Sequence, residues 1–325
     1  RKCPWFRNAA PLLADTRASP PMATFVEIRD GVRLETRRYG DPTRSRALVV
    51  WGHGLCNSMA GEDEDMLWNF WHARGDGNGT GPGPGDDDDD DDGAVAMDAH
   101  VVRYSARGHG ESSPSTTPAD CAWDTLGGDM LALARECRRD ASQRLVLGGA
   151  SMGAASAIHA AVRVARERER AGSSPETIAG LVLVIVPTFH ETRRRRRSQI
   201  LAAAERGFGA FLKSKKPRPI FAGTDREDEP PRLVGVREDS FEHVMAASAD
   251  SDLPPSDVIA NALRDVPILA LCWDCGDKTH PPSSAAAIET RLAPHADVRV
   301  AKTLEETRGW SEAVRAFVSG LGAGE

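Results

Sequence analysis

The chain has 325 residues, of which 40% are hydrophobic and 27% charged, a composition that indicates a globular protein. Its formal net charge of -7 is accounted for by seven consecutive aspartates at residues 86–92, so the rest of the chain is close to neutral. This balance argues against a nucleic-acid-binding surface. No apolar run approaches the roughly 20 residues that span a bilayer, so we expect no membrane segment.

Short β-rich runs alternate with helical patterns, which predicts an α/β fold with a doubly wound, mostly parallel sheet covered by helices on both faces. The chain opens with an antiparallel pair of strands, predicted at residues 24–28 and 34–39. Further strands are predicted at residues 47–51, 100–104, 144–148, 181–186, 267–273 and 297–301. The main helices are predicted at residues 58–72, 124–138, 152–170 and 310–319.

Three segments interrupt this alternation. Residues 1–22 carry four basic residues against one acidic residue and are predicted to be a disordered or targeting tail, with a natural start at Met22 as the alternative. Residues 75–93 consist mainly of glycine, proline and aspartate and are predicted to be a disordered acidic loop. Residues 189–263 contain proline-broken helical patterns. We expect them to form a small, mainly helical cap inserted into a single domain at residues 23–325.

The six cysteines are too few for a disulfide framework in a chain of this length, so free thiols in a reducing compartment are expected. The expected location is therefore intracellular, in the cytoplasm, or in a plastid or mitochondrion if residues 1–22 are a transit-peptide remnant. Cys272 and Cys275 have the spacing of a redox or metal pair, but the sequence has no second pair. We expect neither a metal nor an organic cofactor.

The segment "LVLGGASMGAASAIHAA" places Ser151 between a predicted strand and a predicted helix. A serine hydroxyl is a poor nucleophile unless a base takes its proton and hydrogen-bond donors receive the charge that develops on the substrate. Gly149 and Gly153, two residues to either side, leave the room that a tight strand-to-helix turn requires. This nucleophile-elbow pattern predicts that Ser151 is the catalytic nucleophile.

A second motif, "LVVWGHGLCNS", follows the first buried strand. Gly54 allows the backbone to approach closely here, and the N–H groups of Leu55 and Met152 are expected to form an oxyanion hole. His53 has two interpretations, a structural residue of this loop or a catalytic one.

The motifs "WGHGLCNS", "VVRYSARGHGESS" and "LVLGGASMGAASAIHAA" follow one another at suitable spacing. Together they resemble the α/β-hydrolase superfamily, in particular its enol-lactonase and esterase-like branch, over residues 25–321 apart from the acidic loop and the cap. The resemblance implies the fold, a catalytic triad and a structural role for the turn that contains His109. Ser105 stands where relatives often have Asp.

The resemblance also implies an acid after the strand that follows the cap, where "LCWDCGDKTHPP" offers Asp277 and, as second choice, Asp274. The histidine of the family follows the last strand, but the final 30 residues contain none. We therefore expect His280, three residues beyond Asp277, to act as the base. The motifs at residues 187–188 and 191–193 resemble a subgroup of actinobacterial-type hydrolases, which supports a relocated base.

Several other residues are assigned with less to support them. Trp273 and His190 are candidates for the pocket, with Trp51, Trp68 and Trp71 as weaker ones. His243 is assigned to the cap and His295 to a surface turn. The arginine run at residues 193–197 is interpreted as the solvated face of a helix.

The sequence therefore predicts a serine hydrolase that cleaves a small ester, lactone or related acyl compound through an acyl-enzyme. Ser151 attacks the carbonyl, His280 transfers the proton, and Asp277 or Asp274 orients the imidazole. The alternative is a chain that has lost its base and serves as a small-molecule-binding module. The two interpretations differ in whether the His280 ring reaches within about 3 Å of the Ser151 hydroxyl. The sequence leaves the substrate and the oligomeric state open.

Overall fold

The computed structural model describes residues 21–65, 70–71, 98–172, 176–187, 190–214, 216–229 and 235–321. Residues 1–20 of the predicted tail and the whole predicted acidic loop lie outside the described residues. The strands are β1 Thr24–Arg29, β2 Val32–Tyr39, β3 Ala47–Gly52, β4 Ala99–Tyr104, β5 Arg144–Ala150, β6 Ile178–Val184, β7 Ile268–Trp273 and β8 Asp297–Ala301. The helices are α1 Met59–Asp65, α2 Trp123–Cys137, α3 Met152–Ala171, α4 His190–Glu205, α5 Phe208–Lys213, α6 Phe241–Asp250, α7 Ser256–Ala262, α8 Pro282–Ala287 and α9 Trp310–Gly320.

The described strands form one sheet in the order β1-β2-β4-β3-β5-β6-β7-β8. The pairs β1–β2 and β2–β4 are antiparallel, and every later pair is parallel. This confirms the predicted α/β class, including the antiparallel opening pair. The strand order reverses between β3 and β5, which is where open α/β sheets place their ligand sites, at the carboxyl ends of the strands.

The central strands are buried on both faces, and their side chains alternate between two cores. Leu48 and Leu147 belong to the core under α2 and α3, whereas Val49 and Val146 belong to the core on the other side, under α9. Strands buried on both faces read as continuous apolar runs, which is why "LVV" and "LVL" mark them in the sequence. No described helix is long and apolar enough to cross a membrane.

Two predicted boundaries were wrong. The helix predicted at residues 58–72 is described as α1 over Met59–Asp65, and residues 66–69 lie outside the described residues, but Phe70 and Trp71 are not helical. Both aromatic rings instead pack edge-on against Trp51, with centroids 5.5 and 5.4 Å away, so burial under the sheet fixes them. The strand predicted at residues 181–186 begins earlier and ends at Val184, because Ile185 has a φ of 44° that turns the chain.

The segment between β6 and β7 contains α4, α5, α6 and α7. Residues of α4, α5 and α6 form a small apolar cluster of their own, which includes Phe211, Phe241 and Met245. Cys56 from the loop after β3 belongs to the same cluster, so these helices lie next to the carboxyl ends of the strands. In contrast, α7 buries Ile259 in the main core.

Candidate active site

Ser151 lies in a strained turn between β5 and α3, with φ 51° and ψ -106°. A left-handed backbone is unusual for a residue other than glycine and is held here because the Ser151 N–H donates to the Val184 carbonyl at 2.9 Å. Gly149 and Gly153 face β3 so closely that an added Cβ would lie 2.4 and 2.1 Å from the Gly52 carbonyl oxygen. The two glycines therefore allow the turn to press against the neighbouring strand.

His280 joins Ser151 to Asp277. Its Nε2 lies 2.8 Å from Ser151 Oγ, and its Nδ1 lies 2.7 Å from Asp277 Oδ2. A carboxylate only accepts hydrogen bonds, so Nδ1–H donates to Asp277, and Nε2 accepts from the serine hydroxyl. This is the arrangement in which a histidine can take the proton of a nucleophile.

The Asp277 carboxylate is held ionised. Burial raises the pKa of Asp277, but the hydrogen bond from His280 and the Thr279 N–H, which donates to Asp277 Oδ1 at 2.8 Å, outweigh burial and lower the pKa to about 2. An ionised Asp277 can fix the imidazole tautomer and stabilise the imidazolium that forms during proton transfer. Thr279 was missed in the sequence, since a backbone N–H carries no residue signature.

Asp274, the second candidate acid, has a different position. Its side chain is exposed, and its backbone N–H continues the pairing with β8 by donating to the Ala301 carbonyl at 2.8 Å. The chain turns after Asp274, and this turn carries Asp277 to the imidazole. The structure thus brings Asp277, and not Asp274, to His280.

Trp273 is buried, lines the cavity and meets the His280 ring edge-on at 6.0 Å between centroids.

The loop after β3 borders Ser151 on the other side. A Cβ on Gly54 would lie 3.7 Å from the Ser151 Cβ, and Leu55 lines the same cavity as the serine. Met152 is the first residue of α3, so its N–H has no acceptor within that helix. Leu55 and Met152 thus belong to the two segments that border Ser151, and an oxyanion hole formed by their N–H groups stays a prediction.

His53 is buried, and both of its ring nitrogens bind backbone groups and not Ser151. The Ala106 N–H donates to its Nε2 at 2.9 Å, and its Nδ1 lies 2.7 Å from the Gly54 carbonyl. Burial, with a contribution from nearby His109, lowers the pKa of His53 well below its usual value. A neutral imidazole that ties two loops together fits the structural interpretation of His53 and gives no support to the catalytic one.

Two of the remaining candidate histidines, His243 and His295, are not brought to the described site. His243 Nδ1 lies 3.0 Å from the Ser115 carbonyl, and His295 Nε2 lies 2.8 Å from the Val266 carbonyl. His190 is the first residue of α4, but its side chain, like that of Trp68, lies outside the described residues. Trp51 and Trp71 pack in the core and do not line the cavity around Ser151.

Ser151 and His280 open into a cavity of about 510 Å³ between the sheet and the helices that follow β6. Its wall includes Arg196 of α4, which is half-buried and donates from Nη1 to Thr279 Oγ1 at 2.9 Å. The prediction of a solvated face is therefore wrong for Arg196, although Arg195 and Arg197 are exposed. The sequence offered no signal for this, because the run of identical residues hides which one turns inward. Within the described residues, no three side chains of the metal-binding types are grouped as a metal ion requires.

A model of the alpha/beta hydrolase family matches residues 79–309, well over half of the chain. Similar solved structures include a hydrolase from Pseudomonas aeruginosa, with 19% identity and a TM-score of 0.60 over 93% of this chain and 98% of that one. A carboxylesterase structure from Nitrososphaera gargenis has 15% identity and a TM-score of 0.62 over 92% and 98%. An esterase from Exiguobacterium antarcticum has 16% identity and a TM-score of 0.60 over 91% and 99%. No curated protein sequence matches the chain.

Proposed function

Because the chain belongs to the alpha/beta hydrolase family, we propose that it is a serine hydrolase that cleaves a small ester, lactone or related acyl compound. The observation that carries this proposal is the hydrogen-bonded series from Ser151 through His280 to Asp277. The residues at 23–325 would form one hydrolase domain, with residues 189–263 as its cap. The esterases among the solved structures of the same fold support the reaction class.

The proposed reaction follows from the positions of the three side chains. Ser151 Oγ attacks the carbonyl carbon while its proton passes to His280 Nε2, and Asp277 holds the imidazolium that results. The N–H groups of Leu55 and Met152 receive the negative charge on the carbonyl oxygen. His280 then protonates the leaving alcohol, and an acyl group remains on Ser151. Water, deprotonated by His280, releases the acid in a second addition and elimination.

A serine at the nucleophile position also restricts the type of reaction. Haloalkane dehalogenases use a carboxylate at this position, because the nucleophile must form an ester with an alkyl carbon. Ser151 has no carboxylate to offer, so its reaction is acyl transfer. The substrate therefore carries an activated carbonyl group.

The test is labelling with a fluorophosphonate, which reacts with activated serines, followed by intact-mass measurement. Wild-type protein is expected to gain one label. Ser151→Ala and His280→Ala are expected to gain none on the same timescale, and Asp274→Asn serves as a matched control that labels as the wild type does. Absence of labelling in folded wild-type protein would contradict the proposal and favour the alternative of a small-molecule-binding module.

A further inference from the structure

Arg196 places a positive charge next to the proposed catalytic residues. Its guanidinium donates to the Thr279 hydroxyl at 2.9 Å, and Thr279 precedes His280 in the chain. Arg196 lines the same cavity as Ser151 and His280, although it comes from α4, a different part of the fold. A substrate bound at Ser151 therefore lies in the same cavity as this guanidinium.

Arg196 carries a positive charge into the wall of this cavity. Among the described lining residues the single carboxylate is Asp277, which is already bound to His280. The other two cations of that lining are Lys216, which is exposed, and Arg218, which interacts with other parts of the protein. Among the described residues, Arg196 makes its one hydrogen bond to a neutral hydroxyl and no ion pair, and Lys216 makes neither. Around the half-buried Arg196 guanidinium, where water is partly excluded, the attraction for an anion is stronger than in water.

Other arginines of the chain show how a guanidinium is satisfied elsewhere in the protein. Arg103 and Arg107 are buried, and both are paired with aspartates. Arg197, next to Arg196 on α4, is exposed and still pairs with Asp250. Half-buried Arg138, which also lacks an ion pair, donates to the backbone carbonyls of Gln143 and Ala141. Among the described residues, Arg196 has a single neutral hydroxyl as its partner, so its guanidinium keeps hydrogen-bonding capacity for a ligand.

The rest of the cavity wall is largely apolar, with Ile200, Phe211 and Met245 on the side of the helices and Trp123 beside them. An apolar wall favours binding of a hydrocarbon segment of the substrate. A guanidinium binds a carboxylate or a phosphate through two parallel hydrogen bonds. We propose that the substrate is an ester or lactone with a second, ionised acidic group, joined to the scissile carbonyl by a hydrocarbon segment, and that Arg196 binds this acidic group. This inference rests on the proposed serine hydrolase function and names the substrate class of the same site.

The experiment compares three p-nitrophenyl esters. One carries an adipoyl group that ends in a carboxylate, the second has an isopropyl group of the same shape in place of that carboxylate, and the third ends in a phosphonate. Wild-type protein is expected to have a higher kcat/KM for at least one of the two anionic esters than for the neutral ester. Which anionic ester has the higher kcat/KM shows whether the site prefers a carboxylate or a phosphate-like group. Arg196→Gln is expected to lower kcat/KM for that anionic ester by about ten- to a hundredfold, mainly through KM, and to leave the neutral ester nearly unchanged.

Two further variants separate charge binding from loop positioning. Thr279→Val removes the hydrogen bond to Arg196 and keeps the positive charge, so the preference for the anionic ester should persist. Arg195→Gln removes an equal charge from the exposed neighbouring position and should change neither ester. Equal loss for the anionic and neutral esters in Arg196→Gln would show that Arg196 only positions the catalytic loop, and this result would overturn the inference.

A second readout does not depend on turnover. Calorimetry measures the binding of free adipate and of an alkyl phosphonate to the Ser151→Ala variant. We expect Arg196→Gln to weaken binding of the preferred anion by the same factor as its kcat/KM. If the wild type cleaves the neutral ester as well as the anionic ones, the substrate-class inference fails and the serine hydrolase stands. If no ester is cleaved and fluorophosphonate does not react, the proposed function fails, and loss of anion binding in Arg196→Gln still decides whether the anion site exists.

Discussion

His280 Nε2 lies 2.8 Å from Ser151 Oγ although 129 residues separate the two in the chain. Ser151 follows β5 and His280 follows β7, and these strands lie on either side of β6 in the parallel part of the sheet. Their carboxyl ends therefore meet at one edge. The loop after β7 supplies both Asp277 and His280, which leaves the segment after β8 free of a histidine.

The two aspartates of this loop should differ sharply when each is replaced by asparagine. Asp277→Asn keeps the shape but removes the negative charge that orients and stabilises the imidazolium, and kcat/KM is expected to fall about a thousandfold or more. Asp274→Asn changes an exposed side chain and should leave the rate nearly unaltered. Steady-state ester hydrolysis measures both, and equal losses in the two variants would contradict the assignment of Asp277.

Buried His109 should make stability depend on pH. Burial lowers the pKa of His109 from 6.5 to about 4, so the unfolded chain binds this proton at a pH where the folded protein does not. The contribution of His109 to the free energy of unfolding is therefore fully present above pH 6.5. It falls as the pH drops towards 4, by on the order of 3 kcal/mol. Urea unfolding across this range measures the slope, which His109→Asn should reduce. Parallel wild-type and variant slopes would disprove the linkage.

Gly153 should tolerate no side chain. In Gly153→Ala the new Cβ would lie 2.1 Å from the Gly52 carbonyl oxygen and 2.4 Å from its carbon, so β3 or the Ser151 turn must shift. We expect a loss of about 2 kcal/mol or more in unfolding free energy, together with a loss of fluorophosphonate labelling. Gly209→Ala is the matched control, because a Cβ there meets nothing within 4 Å and lies in the helix α5. Similar stabilities for the two variants would refute the argument.

The sequence predicted the features that depend on local spacing. The apolar runs located most of the strands, because strands buried on both faces leave a continuous pattern. The glycines around Ser151 predicted the turn, since only residues without a Cβ fit against Gly52. The lack of a histidine in the last 30 residues, combined with the short spacing from Asp277, predicts His280 as the base.

The remaining features depend on contacts between distant segments. Asp274 and Asp277 could not be separated in the sequence, because the choice depends on where the chain leaves the pairing with β8. Arg196 was assigned to a solvated face, since five adjacent arginines give no periodicity from which to orient the helix. Trp71 was a candidate for the pocket wall, and only the packing against Trp51 assigns it to the core.

The central claim is that Ser151 forms an acyl-enzyme, and mass spectrometry after rapid acid quenching tests it most directly. Protein mixed with excess p-nitrophenyl acetate is quenched within the first turnovers, weighed intact and then digested. The account predicts the added mass of one acetyl group on the peptide that contains Ser151, and no such adduct in Ser151→Ala or His280→Ala. Turnover of the ester by wild-type protein with no acyl adduct, or with the acyl group on another residue, would contradict it.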